Sequence, residues 1–402
     1  MAAMANQTVL ISGAGIAGPT LAYWLAEYGF APTLIERAPR LRAGGYVIDF
    51  WGLGYDVAEK MGLVPALERE GYGVEELRLV DAQNRRVGGF NADVFRKLTQ
   101  GRYVSLARSA LAELLFRTVE NRAETMFGDG IAGLAETAGG VEVTFERAPP
   151  RRFDLVIGAD GLHSAVRALG FGADARFEHY LGYVAAGFEA FGYRPRDENA
   201  YVSFARPGRQ IARFAMREDR TMFLLVFAAA TPPALAPHDV AGQKRLLQDQ
   251  FRDAGWECPA ILAALDRADD LYFDRVSQIR LAPWSRGRIA LVGDAASCPS
   301  LLAGQGAALA MTASYVLAGE LAATEGRFDP AFTRYEAVLR PFIMGKLKAA
   351  ERFAGAFAPK TRRGLLIRNY VTRAMALPFM AEWTLGSSLL DRLDLPRYVS
   401  RR

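Results

Sequence analysis

The run Thr8-Val9-Leu10-Ile11-Ser12 is short, apolar and β-branched, and glycines follow it directly. It predicts a buried strand. From Leu21 to Tyr28 apolar residues recur at helical spacing, and Gly29 stands where a helix C-terminus favours a left-handed residue. Pro32-Thr33-Leu34-Ile35-Glu36 predicts a second strand. Strand, helix and strand at this spacing make a βαβ unit, with parallel strands in a sheet covered on both faces. Further on, the pattern predicts an antiparallel hairpin over 75–90, a helix over 108–120, an alternating strand at Val141–Phe145 and a buried strand at Leu155–Gly158.

From about Phe171 to Arg280 the pattern changes. Strand-like stretches at Tyr183–Phe191, Tyr201–Phe204, Ile211–Met216 and Thr221–Phe227 are separated by Gly, Pro and acidic turns, with one helical stretch near Ala241–Gly255. This predicts an antiparallel sheet in a second, α+β domain. Arg288–Val292 then returns to a buried parallel-type strand, and Gly306–Ala323 reads as a long apolar helix. The expectation is an α/β protein whose first sheet is interrupted by a second domain and completed late.

Composition narrows the field. With 402 residues, 51% of them hydrophobic and 23% charged, the chain has ample apolar surface for two or three domains, and disorder is excluded. The formal charge of +5 is small for this length, and no long basic block points to nucleic acid. Cys258 and Cys298 are the only cysteines, too few for a disulfide scaffold or a zinc site of usual spacing. No basic leader precedes the first strand and no window of about 20 residues is uniformly apolar, so neither a signal peptide nor a spanning helix is expected. A cytoplasmic location is the expectation. The stretch 340–402 reads as helical, apolar and basic: Arg363, Arg368 and Arg373 alternate with Leu365, Leu366, Ile367 and Val371. Such a helix either lies on a membrane surface or packs over the domain junction with its arginines outward.

Three motifs carry the chemistry. Gly13-Ala14-Gly15-Ile16-Ala17-Gly18 matches G-x-G-x-x-G between a strand and a helix. Gly13 permits the tight turn, Gly15 lets the backbone approach a pyrophosphate, and Gly18 allows close helix–strand packing. Glu36, followed by Arg37, ends the second strand, where an acid accepts hydrogen bonds from an adenosine ribose. That favours FAD or NAD over NADP at this site. Second, Asp294 follows the strand Arg288–Val292, and Gly304-Gln305-Gly306-Ala307 opens the long helix. A carboxylate there lies in the ligand crevice of an open sheet and suits a ribityl chain, and the helix start suits an anionic flavin edge. A helix cap and a flexible turn would not by themselves explain two glycines at the start of a long helix. Third, Asp154–Arg167 runs a strand into Asp160-Gly161, with Asp160 placed to touch a cofactor or order its pocket, Arg167 to pair with an acid, and His163 as a loop residue.

In this order and spacing the motifs resemble those of the FAD-dependent aromatic hydroxylases of the 4-hydroxybenzoate hydroxylase class, over roughly Val9–Glu320. Within the class the chain is similar to the tetracycline-destructase-like and antibiotic-tailoring branch. The resemblance implies a Rossmann-like FAD-binding domain over 1–72, 100–170 and 281–340, a substrate domain over 73–99 and 171–280, and a C-terminal helical segment over 341–402. It implies that Gly13, Gly15, Ile16, Ala17, Gly18, Glu36 and Arg37 meet the ADP moiety, and that Arg42, Gly44, Gly45 and Asp49 line the isoalloxazine. It likewise implies that Arg108 reaches the pyrophosphate or ribityl, that Asp160-Gly161 serves both FAD and NAD(P)H, and that Asp294 with Gly304–Ala307 holds the ribityl and pyrimidine. The chain departs from the family at Ser297, where His is common, and at Leu301, where Pro is common; a proline stands earlier, at Pro299.

The implied reaction is NAD(P)H-driven monooxygenation. FAD is reduced, O₂ adds to give a flavin C4a-hydroperoxide, and one oxygen passes to an aromatic or polycyclic substrate. No second G-x-G-x-x-G follows a strand, so NADPH or NADH is expected to bind transiently in a groove. No Ser/His/Asp triad, carboxylate pair or metal cluster is found, and no catalytic side chain is assigned. The antiparallel strands are expected to supply a pocket from Arg213, Phe214, Phe223, Leu225 and Phe227, with Leu301 opposite, although each of these also suits a plain sheet core. Two other outcomes stay open, an FAD oxidase or dehydrogenase and a non-redox flavoprotein acting as a cyclase or ligand binder, while an NAD dehydrogenase is disfavoured by the late Asp294 and Gly304 sites. Flavin halogenation is disfavoured, because the Trp-x-Trp-x-Ile-Pro signature is missing. The chain length leaves monomer and homodimer open.

Overall fold

Val9, Leu10 and Ile11 are wholly shielded from solvent, because their strand lies in the middle of a six-stranded sheet. The computed structural model describes residues 7–41, 46–375, 391 and 393–399. The strand order is Ser285–Arg286, Ile289–Leu291, Leu155–Gly158, Thr8–Ser12, Ala31–Glu36, Glu124–Phe127. All neighbours are parallel except the short first strand. Register sets Ile11 between Ile157 and Leu34, so three aliphatic side chains from distant parts of the sequence form one row of the core.

The helix Ala17–Glu27 follows the glycine loop, and the helix Gly306–Ala323 packs against it. The Ser314 hydroxyl donates to the Ala17 carbonyl at 2.9 Å. Every residue from Leu309 to Leu321 is buried, which explains why this helix is apolar all round rather than along one stripe. Among the described residues it is the one helix long and apolar enough to cross a bilayer, and 72% of it lies inside the fold.

A second sheet has seven strands, in the order Tyr272–Ile279, Glu178–Phe191, Arg220–Ala228, Arg209–Ala215, Ala200–Arg206, Glu76–Val80, Arg86–Asn91. Its strands are antiparallel except where Ala200–Arg206 meets Glu76–Val80. The early hairpin thus joins a sheet built mostly from residues a hundred positions later. Helix Val240–Phe251 and a helix the pattern did not predict, Cys258–Arg267 with a proline in its first turn, cover one face of this sheet. A three-stranded sheet (Ile131–Thr137, Gly140–Phe145, Arg151–Phe153) and a two-stranded one (Val47–Trp51 with Tyr103–Ala107) complete the strands.

The helix Phe328–Phe357 lies against the core helix, and the Tyr335 hydroxyl donates to the Leu291 carbonyl at 3.1 Å. A shorter helix, Arg362–Ala374, follows. The helical expectation over 340–402 holds for these two elements. It fails at 393–399, which carry no helix but where Tyr398 hydrogen-bonds Glu320 at 2.7 Å. The remainder of that stretch, 376–390 included, lies outside the described residues.

Candidate active site

The glycine loop has the geometry its motif requires at two positions and open space at a third. Gly13 adopts φ +104°, and a Cβ there would stand 2.6 Å from the Ala159 carbonyl oxygen. A Cβ at Gly18 would run into the Gly13 carbonyl oxygen. Gly15 differs: a Cβ there meets only Arg108 Nη2, at 3.7 Å. Ile16 and Ala17 begin the following helix, which has no side-chain cap. Its first N–H groups therefore remain for an anion. Glu36 curls back on the loop and accepts from the Ala14 and Ala38 amides, each at 2.9 Å. Arg37 is exposed and pairs with Glu146 at 3.1 Å.

Arg108 begins its helix directly after the strand Tyr103–Ala107. Asp294 lies beyond the strand Ile289–Leu291, in a turn, and faces Gly306: a Cβ on Gly306 would sit 3.7 Å from Asp294 Oδ1. Burial pushes the Asp294 carboxyl above its ordinary range, while the charge of Arg108, a hydrogen bond with Cys298 and the charge of Arg167 pull it back. Burial also pushes the Cys298 thiol up. Gly304 takes a left-handed φ of +67° between Leu301–Ala303 and the core helix, with Gln305 at the N-cap and Ala307 in the first turn. The Gln305 side chain makes no capping hydrogen bond to that helix.

Asp160 is held from three sides, by the Ser12 hydroxyl at 3.3 Å, the Ser164 hydroxyl and the Val166 amide at 3.2 Å. Gly161, at φ +78°, has nothing within 4 Å of a built Cβ. Arg167 is fully buried and donates to the carbonyls of Ala295 and Leu162. It therefore braces the Asp294 turn through the backbone, and its charge reaches Asp294 itself. His163 is not an isolated loop residue. Its Nε2 meets both Asp274 oxygens at 3.0 and 3.1 Å, linking the first sheet's loop to the second sheet.

Asp49 pairs across the two-stranded sheet with Ser105. It accepts from the Ser105 hydroxyl at 2.5 Å and the Tyr103 hydroxyl at 2.6 Å, and burial raises its pKa. Arg42, Gly44 and Gly45 lie outside the described residues.

The second sheet sorts the expected pocket residues by parity. Phe214 packs with Met216, Met222, Tyr72, Tyr201 and Leu224, against Tyr46, Val47 and Ala107 of the first domain. This face looks toward Arg108. Leu301 packs on the same side, against Tyr183, Val226 and Val276. Phe223, Leu225 and Phe227 point the other way and form the core beneath the two covering helices, with Leu247, Phe251, Ile261 and Leu265. Their place is in that core, and the expectation that they line the pocket is corrected. Arg213 is corrected likewise: it is fully buried and bound to Asp197 at 2.7 Å and Glu257 at 2.9 Å. Residues the sequence reading missed stand at the junction. Tyr46 and Tyr272 have ring centroids 5.6 Å apart, and both feel the charges of Arg108, Asp274 and Cys298. Burial pushes Tyr46 up to about 12 and raises Tyr272 well above the ordinary phenol value. Only the aromatic character of the two residues marked them, and that is common to any core.

The family model described as an FAD binding domain matches residues 6–344. A flavin-dependent monooxygenase of Legionella longbeachae is 34% identical over 407 residues, covering 98% of this chain and 99% of its own. The chain belongs to the flavin-dependent monooxygenases. Tetracycline destructase Tet(55) superposes with a TM-score of 0.82 at 30% identity, covering 98% of this chain and 99% of its own. Klebsiella pneumoniae HpxO, crystallised with FAD and uric acid, shares the fold at TM-score 0.78 and 23% identity, covering 96% of this chain and 98% of its own. FAD is the cofactor of this family, and the residues present fit it. Gly15 leaves room beside a guanidinium. Asp294 is a half-buried acceptor, suited to the hydroxyls of a polyol chain.

Proposed function

We propose that this monooxygenase uses NADPH or NADH to place one atom of O₂ into an apolar, aromatic or polycyclic small molecule. In balance, substrate, O₂, NAD(P)H and a proton give oxygenated substrate, NAD(P)⁺ and water. The observation that carries the reading is one junction. Arg108 and Asp294 come together there, and the face bearing Phe214, Met222, Leu224 and Tyr201 meets Tyr46, Val47 and Ala107.

Bound FAD supplies the electron transfer and the activation of O₂. The chain supplies placement. Arg108 beside Gly15, with the uncapped start of Ala17–Glu27, would neutralise the diphosphate. Asp294 would accept from the ribityl hydroxyls. The uncapped start of Gly306–Ala323 would offer N–H groups and a positive dipole to the anionic ring edge. Tyr46 and Tyr272 keep their protons at neutral pH, since both titrate far above it, and so remain hydrogen-bond donors toward bound substrate. The apolar face excludes water from the reacting atoms. A nicotinamide donor would place the reaction in the cytoplasm.

The test is a panel of aromatic and polycyclic compounds scored with purified FAD-loaded protein. NAD(P)H oxidation that rises with substrate, O₂ uptake in equal amount and a product carrying one labelled oxygen from ¹⁸O₂ are expected. Product formed without O₂, or with the flavin held oxidised, would overturn the reading in favour of a dehydrogenase or a non-redox templating role.

A further inference from the structure

The helix Arg362–Ala374 turns an apolar stripe outward. Leu366, Ile367, Tyr370 and Val371 are 68%, 64%, 78% and 43% exposed. Their spacing puts them on a single stripe, and that stripe faces solvent. The opposite side packs on the strand Arg86–Asn91 and mixes the polar Arg368, Asn369 and Thr372 with the half-buried Leu365 and the buried Met375. Thr372 accepts from the Gly89 amide at 3.3 Å. Arg368 turns inward and donates to Gln210 at 2.6 Å and to the Phe357 carbonyl at 3.2 Å. The expected packing, with arginines outward and apolar residues inward, is thus inverted at Arg368.

The charge around the stripe selects its partner. Lys360, Arg362, Arg363 and Arg373 are exposed at its two ends, and residues 359–375 contain no Asp or Glu. A second copy laid stripe to stripe would set these cations against each other. An anionic bilayer would take the apolar side chains below its headgroups and pair the cations with its phosphates.

We propose that the helix Arg362–Ala374 is a docking surface for anionic phospholipid membranes. Full-length, FAD-loaded protein should co-sediment with phosphatidylglycerol/phosphatidylcholine vesicles at least about tenfold more strongly than with phosphatidylcholine alone, and high salt should reverse the preference. A triple variant, Leu366→Gln, Ile367→Gln and Tyr370→Gln, alters only exposed side chains. It should keep its flavin and melting temperature and lose the vesicle binding. Arg362→Gln with Arg363→Gln should lose the salt-sensitive part. Equal sedimentation with both vesicle types would overturn the proposal. So would a wild-type dimer in solution that the triple variant converts to monomer, since the stripe would then serve a second copy.

Discussion

Burial raises the Asp294 carboxyl above its ordinary pKa, so ionising it costs the unliganded fold free energy. A raised folded-state value means that the stabilising contribution is complete below about pH 3.9 and is lost as the pH climbs through the higher value. At neutral pH the ionised carboxylate therefore adds nothing to folding, in keeping with the binding role proposed for it. Asp294→Asn should leave the melting temperature of the flavin-free protein unchanged or higher, while weakening FAD about tenfold or more, the scale of one charge-assisted hydrogen bond. Parallel losses in both measurements would contradict this. His163 behaves differently. The hydrogen bond to Asp274 raises its pKa, burial opposes the shift, and the Asp274 charge adds to it. Its stabilising contribution is full below about pH 6.5 and fades as pH rises through the raised value. NMR titration should find His163 above the ordinary imidazole value, and Asp274→Asn should bring it down. A His163 that titrates in that variant as it does in the parent would dissolve the link between the two sheets. The sequence marked Asp294 and Asp160 because each ends a strand beside a glycine. Nothing in it could show that His163 meets a carboxylate 111 positions away, or that Arg213 is already bound by Asp197 and Glu257.

At the scale of elements, the two kinds of glycine in the first loop separate folding from binding. A side chain at Gly18 collides with backbone at Gly13, whereas one at Gly15 meets only the end of an arginine. Gly18→Ala should cost more than about 2 kcal/mol in denaturant unfolding, as overpacking against rigid backbone does. Gly15→Ala should unfold like the parent yet lose FAD in a fluorescence titration. Equal stability losses would show that the loop's spacing is purely structural. The strands and helices around this loop were legible because a buried parallel strand is a continuous apolar run, and Thr8–Ser12 and Leu155–Gly158 fall where that pattern puts them. The strand Arg220–Ala228 was harder. Its residues are apolar on both sides, with Met222 and Leu224 facing the first domain and Phe223, Leu225 and Phe227 facing helices. Alternation shows that two faces exist, but which one meets the cofactor depends on elements elsewhere in the chain.

The whole molecule depends on a sheet whose strands come from three distant parts of the sequence. Thr8–Ser12 pairs with Leu155–Gly158, which pairs with Ile289–Leu291, and only that closure brings Gly15, Arg108 and Asp294 to one junction. The interruption was legible from the shift in pattern near Phe171. The resemblance implied that the early hairpin joins the second domain, but its place at the sheet's far edge, parallel to Ala200–Arg206, was not legible, because edge pairing leaves no mark in a single strand's alternation. The account rests on that junction being the seat of the flavin. A crystal structure of the FAD complex tests it most directly. The diphosphate should lie against Gly15 and the Arg108 guanidinium, with the ribityl hydroxyls on Asp294 and the ring toward Tyr46 and Phe214. FAD bound with its diphosphate away from Gly15, or with Asp294 untouched, would contradict the account.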